Sequence, residues 1–195
     1  MSKIKLARAE FKRLRNEIRK DDVRILYYPN KDDFMGSTRS RAYTYSLEKP
    51  PLIVIRKGRG ITYLEIIGTL LHEYGHILDD RRYGTSARSA LYESHMLDGS
   101  ANTIRNYPKK AKYAILKTEL IVESMIPKLW KRFKIKLPFD SDYWECEKAV
   151  TMRVLKYWLV YGKPPAKQAR KKWQALWKQD PWFADEAYIR DLSGV

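Results

Sequence analysis

Residues 3–20 alternate apolar and basic positions in a pattern typical of an amphipathic helix. The apolar residues recur three and four positions apart, and lysines and arginines fill most of the places between them. One face of the helix is therefore predicted to pack on a core and the other to be strongly basic. The apolar positions are Ile4, Leu6, Ala7, Phe11, Leu14 and Ile18.

Three short segments, residues 23–28, 41–46 and 52–56, are rich in β-branched and aromatic side chains and are separated by proline, glycine and asparagine. Such segments predict strands of a small sheet. The third has two interpretations. It is either an edge strand beside a cleft, where an extended peptide could pair with its backbone, or a plain core strand.

Helical patterns dominate the rest of the chain. Helices are predicted over residues 61–80, 109–133, 142–161 and 167–178, and residues 84–108 form a long connection with one short helix over 91–97. A sheet followed by helices indicates the α+β class. We expect a single domain over 1–195, with a basic helix over 1–20, a core over 23–135 and a helical region over 140–195.

Cysteine usage limits the kind of metal site. Cys146 is the only cysteine among 195 residues, so neither an intramolecular disulfide nor a four-cysteine zinc cluster is possible. Any metal must be bound by His, Asp or Glu.

A lone cysteine fits a reducing compartment, and no segment reads as a signal peptide or membrane span. We therefore expect a cytoplasmic protein.

The net charge of +16 is large for this length. It favours nucleic acid or an acidic protein as a partner, and the competing interpretation is a basic surface that is merely solvated. In the last predicted helix, Trp173 and Trp177 lie beside several basic residues. They could grip nucleic acid or simply pack on the core.

The segment His72-Glu73-Tyr74-Gly75-His76 places H-E-x-x-H inside the first long helix after the strands. Residues four apart lie one above the other on a helix face, so both imidazoles can bind one cation. Glu73 is rotated aside, where it can take a proton from a water that the metal activates. The sequence thus predicts zinc on His72 and His76, with Glu73 as general base.

A catalytic zinc usually has three protein ligands and one open position. Glu119 is the predicted third ligand, because it interrupts an apolar stripe on the 109–133 helix and a buried carboxylate needs a partner. Glu123, one turn later, is expected to accept a hydrogen bond from a ligand histidine. The reversed assignment stays open, and the other candidate ligands are Glu93, His95 and Asp98.

Several groups could stabilise a developing oxyanion. His95 could serve as the donor, and so could a phenol. The tyrosines considered are Tyr74, Tyr92, Tyr107 and Tyr113.

The sequence Leu71-His72-Glu73-Tyr74-Gly75-His76, followed by residues 115–123 (ILKTELIVE), resembles the gluzincin metallopeptidases. It looks most like small versions encoded by phages and mobile elements, including the ImmA/IrrE group. The resemblance covers less than half of the chain, and this chain has a longer insertion before Glu119. It implies a zincin-like core, with Glu119 as ligand and Val122 at a small-residue position. For a phage protein, it also implies the host cytoplasm.

The leading functional hypothesis is a zinc-dependent metallopeptidase that hydrolyses a protein or peptide, with Glu73 as the base. The alternative is a basic nucleic-acid- or virion-associated binding protein whose zinc is structural. A structural zinc is usually closed by four protein ligands, whereas a catalytic zinc keeps an open position.

Overall fold

The computed structural model describes residues 2–28, 41–57, 61–83 and 105–193. It confirms the α+β class, with one three-stranded sheet and a majority of helix in these residues. The chain divides into two compact units. The first comprises Met1–Gly84 and Met125–Phe139, and the second comprises Thr85–Ser124 and Asp140–Val195.

The first unit begins with helix α1, Lys3–Arg19, whose N-terminus is capped by the Ser2 hydroxyl. The predicted amphipathic pattern is confirmed from Ala7 onward, where the apolar face is buried and the basic face is largely exposed, whereas Ile4 is exposed and Leu6 is half-buried. Glu10 is also buried, and its hydrogen bond from Arg13 holds the pKa of its carboxyl below the usual value. The buried apolar side chains are Ala7, Phe11, Leu14 and Ile18.

The predicted sheet is confirmed, with strands β1 (Arg24–Tyr28), β2 (Arg41–Tyr45) and β3 (Leu52–Arg56) in the order β1-β3-β2. Strand β3 pairs in parallel with β1 and antiparallel with β2. The edge interpretation of residues 52–56 is therefore wrong. A backbone paired on both sides cannot receive another chain, and β3 is the core strand of the alternative interpretation.

The register aligns Ile25, Ile53 and Thr44 across the sheet. Since side chains alternate between the two faces of a strand, these three share one face. Ile53 is fully buried and Thr44 is half-buried, whereas Tyr43 and Tyr45 are exposed on the opposite face. The face that includes Thr44 is therefore the one that contacts the helix bearing the motif.

That helix, α2, is Tyr63–Tyr83. A reciprocal capping box begins it: the Thr62 hydroxyl accepts from the Glu65 backbone N–H at 3.2 Å, and the Glu65 carboxylate accepts from the Thr62 N–H at 2.7 Å. Burial extends around more of the helix than one stripe, although Leu64 and Leu78 are only half-buried. The fully or nearly fully buried apolar side chains are Ile66, Ile67, Leu70, Leu71, Tyr74 and Ile77.

Asp21, which follows α1, anchors α2 within the first unit. Its carboxylate accepts hydrogen bonds from the Tyr74 hydroxyl and, at 3.2 Å, from Arg132. Its backbone carbonyl accepts one from Arg81 at 2.7 Å. Arg132 ends helix α3, Lys109–Arg132, whose residues from Met125 onward belong to this unit. These hydrogen bonds hold the buried side of the motif helix in place.

The second unit contains the first part of α3 together with α4 (Ser141–Tyr161), α5 (Lys167–Gln179) and the short α6 (Glu186–Arg190), which the sequence did not predict. One apolar cluster includes residues of α3, α4 and α6, and another includes Cys146 of α4 and Trp177 of α5, with Trp173 packed against it. The tryptophans therefore pack on the core, as the second interpretation of that helix expected.

Within the described ranges, none of the helices is both long enough and apolar enough to cross a lipid bilayer. The short helix predicted over residues 91–97 lies outside the described residues.

Candidate metal centre

His72 and His76 lie one turn apart on α2, and both side chains are half-buried. Their Nε2 atoms are 3.2 Å apart, and the two rings are nearly perpendicular, with centroids 4.9 Å apart. The motif's helical spacing therefore brings two imidazole nitrogens to one point, as the sequence predicts.

Glu119 lies on α3 and is only 5 % exposed. The expectation that it interrupts an apolar stripe is confirmed, since Ile115, Val122 and Ile126 are all buried. One ligand atom each from His72, His76 and Glu119 lies within 4.8 Å of the other two. The three residues form a group that could bind a metal ion.

The distance between the two histidines fits a small tetrahedral cation. Ligands at the usual Zn–N distance of about 2.0–2.1 Å lie about 3.3 Å from one another around a tetrahedral ion. The 3.2 Å between the histidine nitrogens matches that spacing. Two neutral nitrogens and one carboxylate oxygen are also donors that suit zinc chemically.

Glu73 is buried, at 9 % exposure, and is outside the group of three. It follows His72 directly on α2, so its side chain leaves the helix on a neighbouring face. The Thr44 hydroxyl of β2 is 2.6 Å from Glu73 Oε2 and 3.0 Å from the Glu73 carbonyl oxygen. The hydroxyl has only one hydrogen to donate. The carboxylate is the favoured acceptor, because its distance is shorter and it is charged.

The remaining candidate ligands are one described residue and three that lie outside the described ranges. Glu123 is half-buried and is not in the group found among the described residues, so its expected hydrogen bond with a ligand histidine stays a prediction. Glu93, His95 and Asp98 lie outside the described residues.

The surroundings of the tyrosines reduce the number of candidates for oxyanion stabilisation. Tyr74 is fully buried, and its hydroxyl donates to Asp21. Burial, together with this bond, raises the pKa of Tyr74 to about 12. The Tyr113 hydroxyl donates to Glu186, and Tyr107 belongs to a core cluster of the second unit. Tyr74 thus supports the fold, and Tyr92 lies outside the described residues.

Thr44 is the residue near the centre that the sequence analysis missed. The signal was present in residues 41–45, where the small side chains of Ala42 and Thr44 alternate with Tyr43 and Tyr45. That alternation predicts which residues share a face. The contact of Thr44 with Glu73 depends on a pairing 29 positions apart.

Comparisons of the chain with protein-family models, curated proteins and solved structures find no match. A function must therefore be inferred from the residues and their arrangement.

Proposed function

We propose that the protein is a zinc-dependent metallopeptidase that cleaves a protein or peptide substrate. The observation that supports this best is the convergence of His72, His76 and Glu119, with the buried carboxylate of Glu73 one residue beyond a histidine. Two histidines and one carboxylate leave a fourth position of a tetrahedral ion open, as in catalytic zinc sites. The zincin-like interpretation of the core is part of this proposal.

Zinc bound by these three residues would supply a Lewis acid that polarises the scissile carbonyl and makes water a better nucleophile at neutral pH. Glu73 takes the proton from the attacking water at the carboxylate oxygen that Thr44 does not hold. It then donates this proton to the leaving amine. One carboxylate thus serves as base and then as acid.

Strand β2 offers a place for the substrate. Among the described residues it pairs only with β3, and its other side is where an extended peptide could pair. Thr44 places this strand against Glu73. An extended peptide that pairs with this edge would lie beside the base, which favours a chain substrate over a compact small molecule.

The test is a Glu73→Gln variant assayed on a peptide library at matched zinc content. Glutamine keeps the size of the side chain but cannot accept the proton, so cleavage should fall by about 10² to 10⁴. Zinc content and melting temperature should be unchanged. Glu65→Gln on the same helix is the control, because glutamine also satisfies a capping box.

Two results would contradict the proposal. Zinc-loaded wild type that cleaves nothing in a broad library would favour a binding protein. Equal cleavage by wild type and Glu73→Gln would mean that Glu73 is not the base.

A second candidate function, binding of nucleic acid with zinc as a structural element, is supported by α1. Lys5, Arg8, Lys12 and Arg19 are exposed and lie at helical spacing on the side opposite the buried face. This basic row is about 21 Å long at 1.5 Å per residue. A row of this kind matches the repeated negative charge of a phosphate backbone or of an acidic protein.

We further propose a cytoplasmic location, which would be the host cytoplasm if the chain is phage-encoded. The free thiol of Cys146 is buried, and burial raises its pKa above the usual value. A buried neutral thiol needs no oxidising compartment, which supports this location.

A further inference from the structure

The Glu73 carboxylate has a defined partner inside the first unit. Thr44 Oγ1 lies 2.6 Å from Glu73 Oε2, with Glu73 buried and Thr44 half-buried. A bond of this length to a charged acceptor is among the stronger hydrogen bonds in proteins. It restricts rotation of the carboxylate at one oxygen and leaves the other available.

Thr44 is itself held firmly. It lies opposite Ile53 in the antiparallel pair of β2 and β3, and Ile53 is fully buried. As a β-branched residue, threonine also has few χ1 rotamers, so its hydroxyl has a narrow range of positions. A rigid donor on a strand can therefore orient a side chain on the facing helix.

We propose that Thr44 is a positioning residue for Glu73, holding Oε2 so that the other oxygen faces the attacking water. This inference rests on the proposed peptidase function. It also assigns β2 two tasks, since the strand that we propose to pair with the peptide also orients the base. Substrate and base would then be aligned by the same rigid strand.

The hydrogen bond is tested first without any substrate. Glutamate side chains are labelled with ¹³C at the carboxyl carbon, and the Glu73 signal is identified by its loss in Glu73→Gln. Thr44→Val should shift this signal in both metal-free and zinc-loaded protein, whereas Thr44→Ser should largely preserve it. Thr151→Val, in α4 of the second unit, is the matched control. A Glu73 signal that does not shift in Thr44→Val would overturn the inference.

The catalytic role is tested by kinetics at matched zinc content. Thr44→Val should lower kcat by about 10- to 100-fold, as expected for loss of an orienting partner, with little change in KM. Thr44→Ser should restore most of the rate. In a Glu73→Gln background, Thr44→Val should cause no further loss, because the group that it orients is gone.

The outcomes separate the inference from the proposed function. Cleavage by wild type with an unchanged kcat in Thr44→Val overturns the positioning role and leaves the peptidase proposal standing. A raised KM or a lowered zinc content in Thr44→Val would assign Thr44 to substrate binding or folding instead. If wild type cleaves nothing, the peptidase proposal fails, and a Glu73 signal that follows Thr44 then marks a purely structural contact.

Discussion

The Nε2 atoms of His72 and His76 are 3.2 Å apart, close to the spacing of two ligands on one tetrahedral zinc ion. The same distance would suit a hydrogen bond between the rings, but the carboxylate of Glu119 lies within 4.8 Å of both ligand nitrogens. A buried carboxylate beside two imidazoles could bind a cation, because the three donors together offer a negative and two neutral ligands.

The first prediction concerns the metal itself. Purified without metal and then given zinc, the protein should bind one zinc ion and unfold at a higher temperature, since a ligand that binds only the folded state stabilises it. Elemental analysis and thermal unfolding measure both effects. The His72→Ala, His76→Ala double variant should lose them. Retention of full zinc affinity in that variant would contradict the assignment.

The second prediction ranks the two glutamates of α3. Glu119→Gln should weaken zinc binding sharply, because a neutral amide replaces a ligand carboxylate. Glu123→Gln should cost about 10- to 100-fold if it only orients a ligand histidine. Zinc titration against a competing chelator measures both. A larger loss in Glu123→Gln would reverse the assignment, and release of zinc by Glu93→Gln, His95→Ala or Asp98→Asn would replace it.

The third prediction concerns the basic row of α1. Replacing Lys5, Arg8 and Lys12 by glutamine should weaken binding to duplex DNA and reduce its salt dependence. The log–log slope should fall by about 0.9 for each phosphate that the protein no longer neutralises. Fluorescence anisotropy over a salt series measures this. The control replaces three exposed lysines of the second unit, Lys163, Lys171 and Lys172.

DNA affinity that is equally reduced in both triple variants would show a diffuse effect of charge. Affinity that does not change with salt would show that the row is only solvated.

The fourth prediction concerns alkaline pH. The pKa of Tyr74 is raised to about 12 in the folded protein, chiefly by burial and then by its bond to Asp21. An unfolded tyrosine loses its proton near pH 10, so between about pH 10 and 12 the unfolded state binds fewer protons and stability falls. The contribution is complete below pH 10 and lost as the pH rises through 12.

In Tyr74→Phe, the free energy of unfolding should therefore decrease less over that range, by up to about 2 kcal/mol. Urea titrations at several pH values measure this difference. Tyr188→Phe serves for comparison, because burial also raises the pKa of Tyr188 to about 12, in the second unit. An identical pH dependence in wild type and Tyr74→Phe would show that the Tyr74 hydroxyl is not protected in solution.

The sequence by itself determined the local structure and the motif. Helical spacing of apolar residues predicted α1 to within one residue, and β-branched segments bounded by turn residues predicted all three strands. The proximity of His72 and His76 also follows from local geometry, since the α-helix alone brings residues four apart together. Interactions over a few residues suffice for all of these features.

Only the tertiary structure decided the features that depend on long-range pairing. In the sheet of described residues, the strand order made β3 central and placed β2 outside it, because the choice of partner strand is set by packing and not by the strand's own sequence. The contact between Thr44 and Glu73 spans 29 residues, and Glu119 is 43 residues beyond His76. The apolar stripe around Glu119 favoured it as the third ligand, but the sequence left four other candidates open. The approach of its carboxylate to both histidines is what distinguishes it among the described residues, since metal ligands are selected by distance in space.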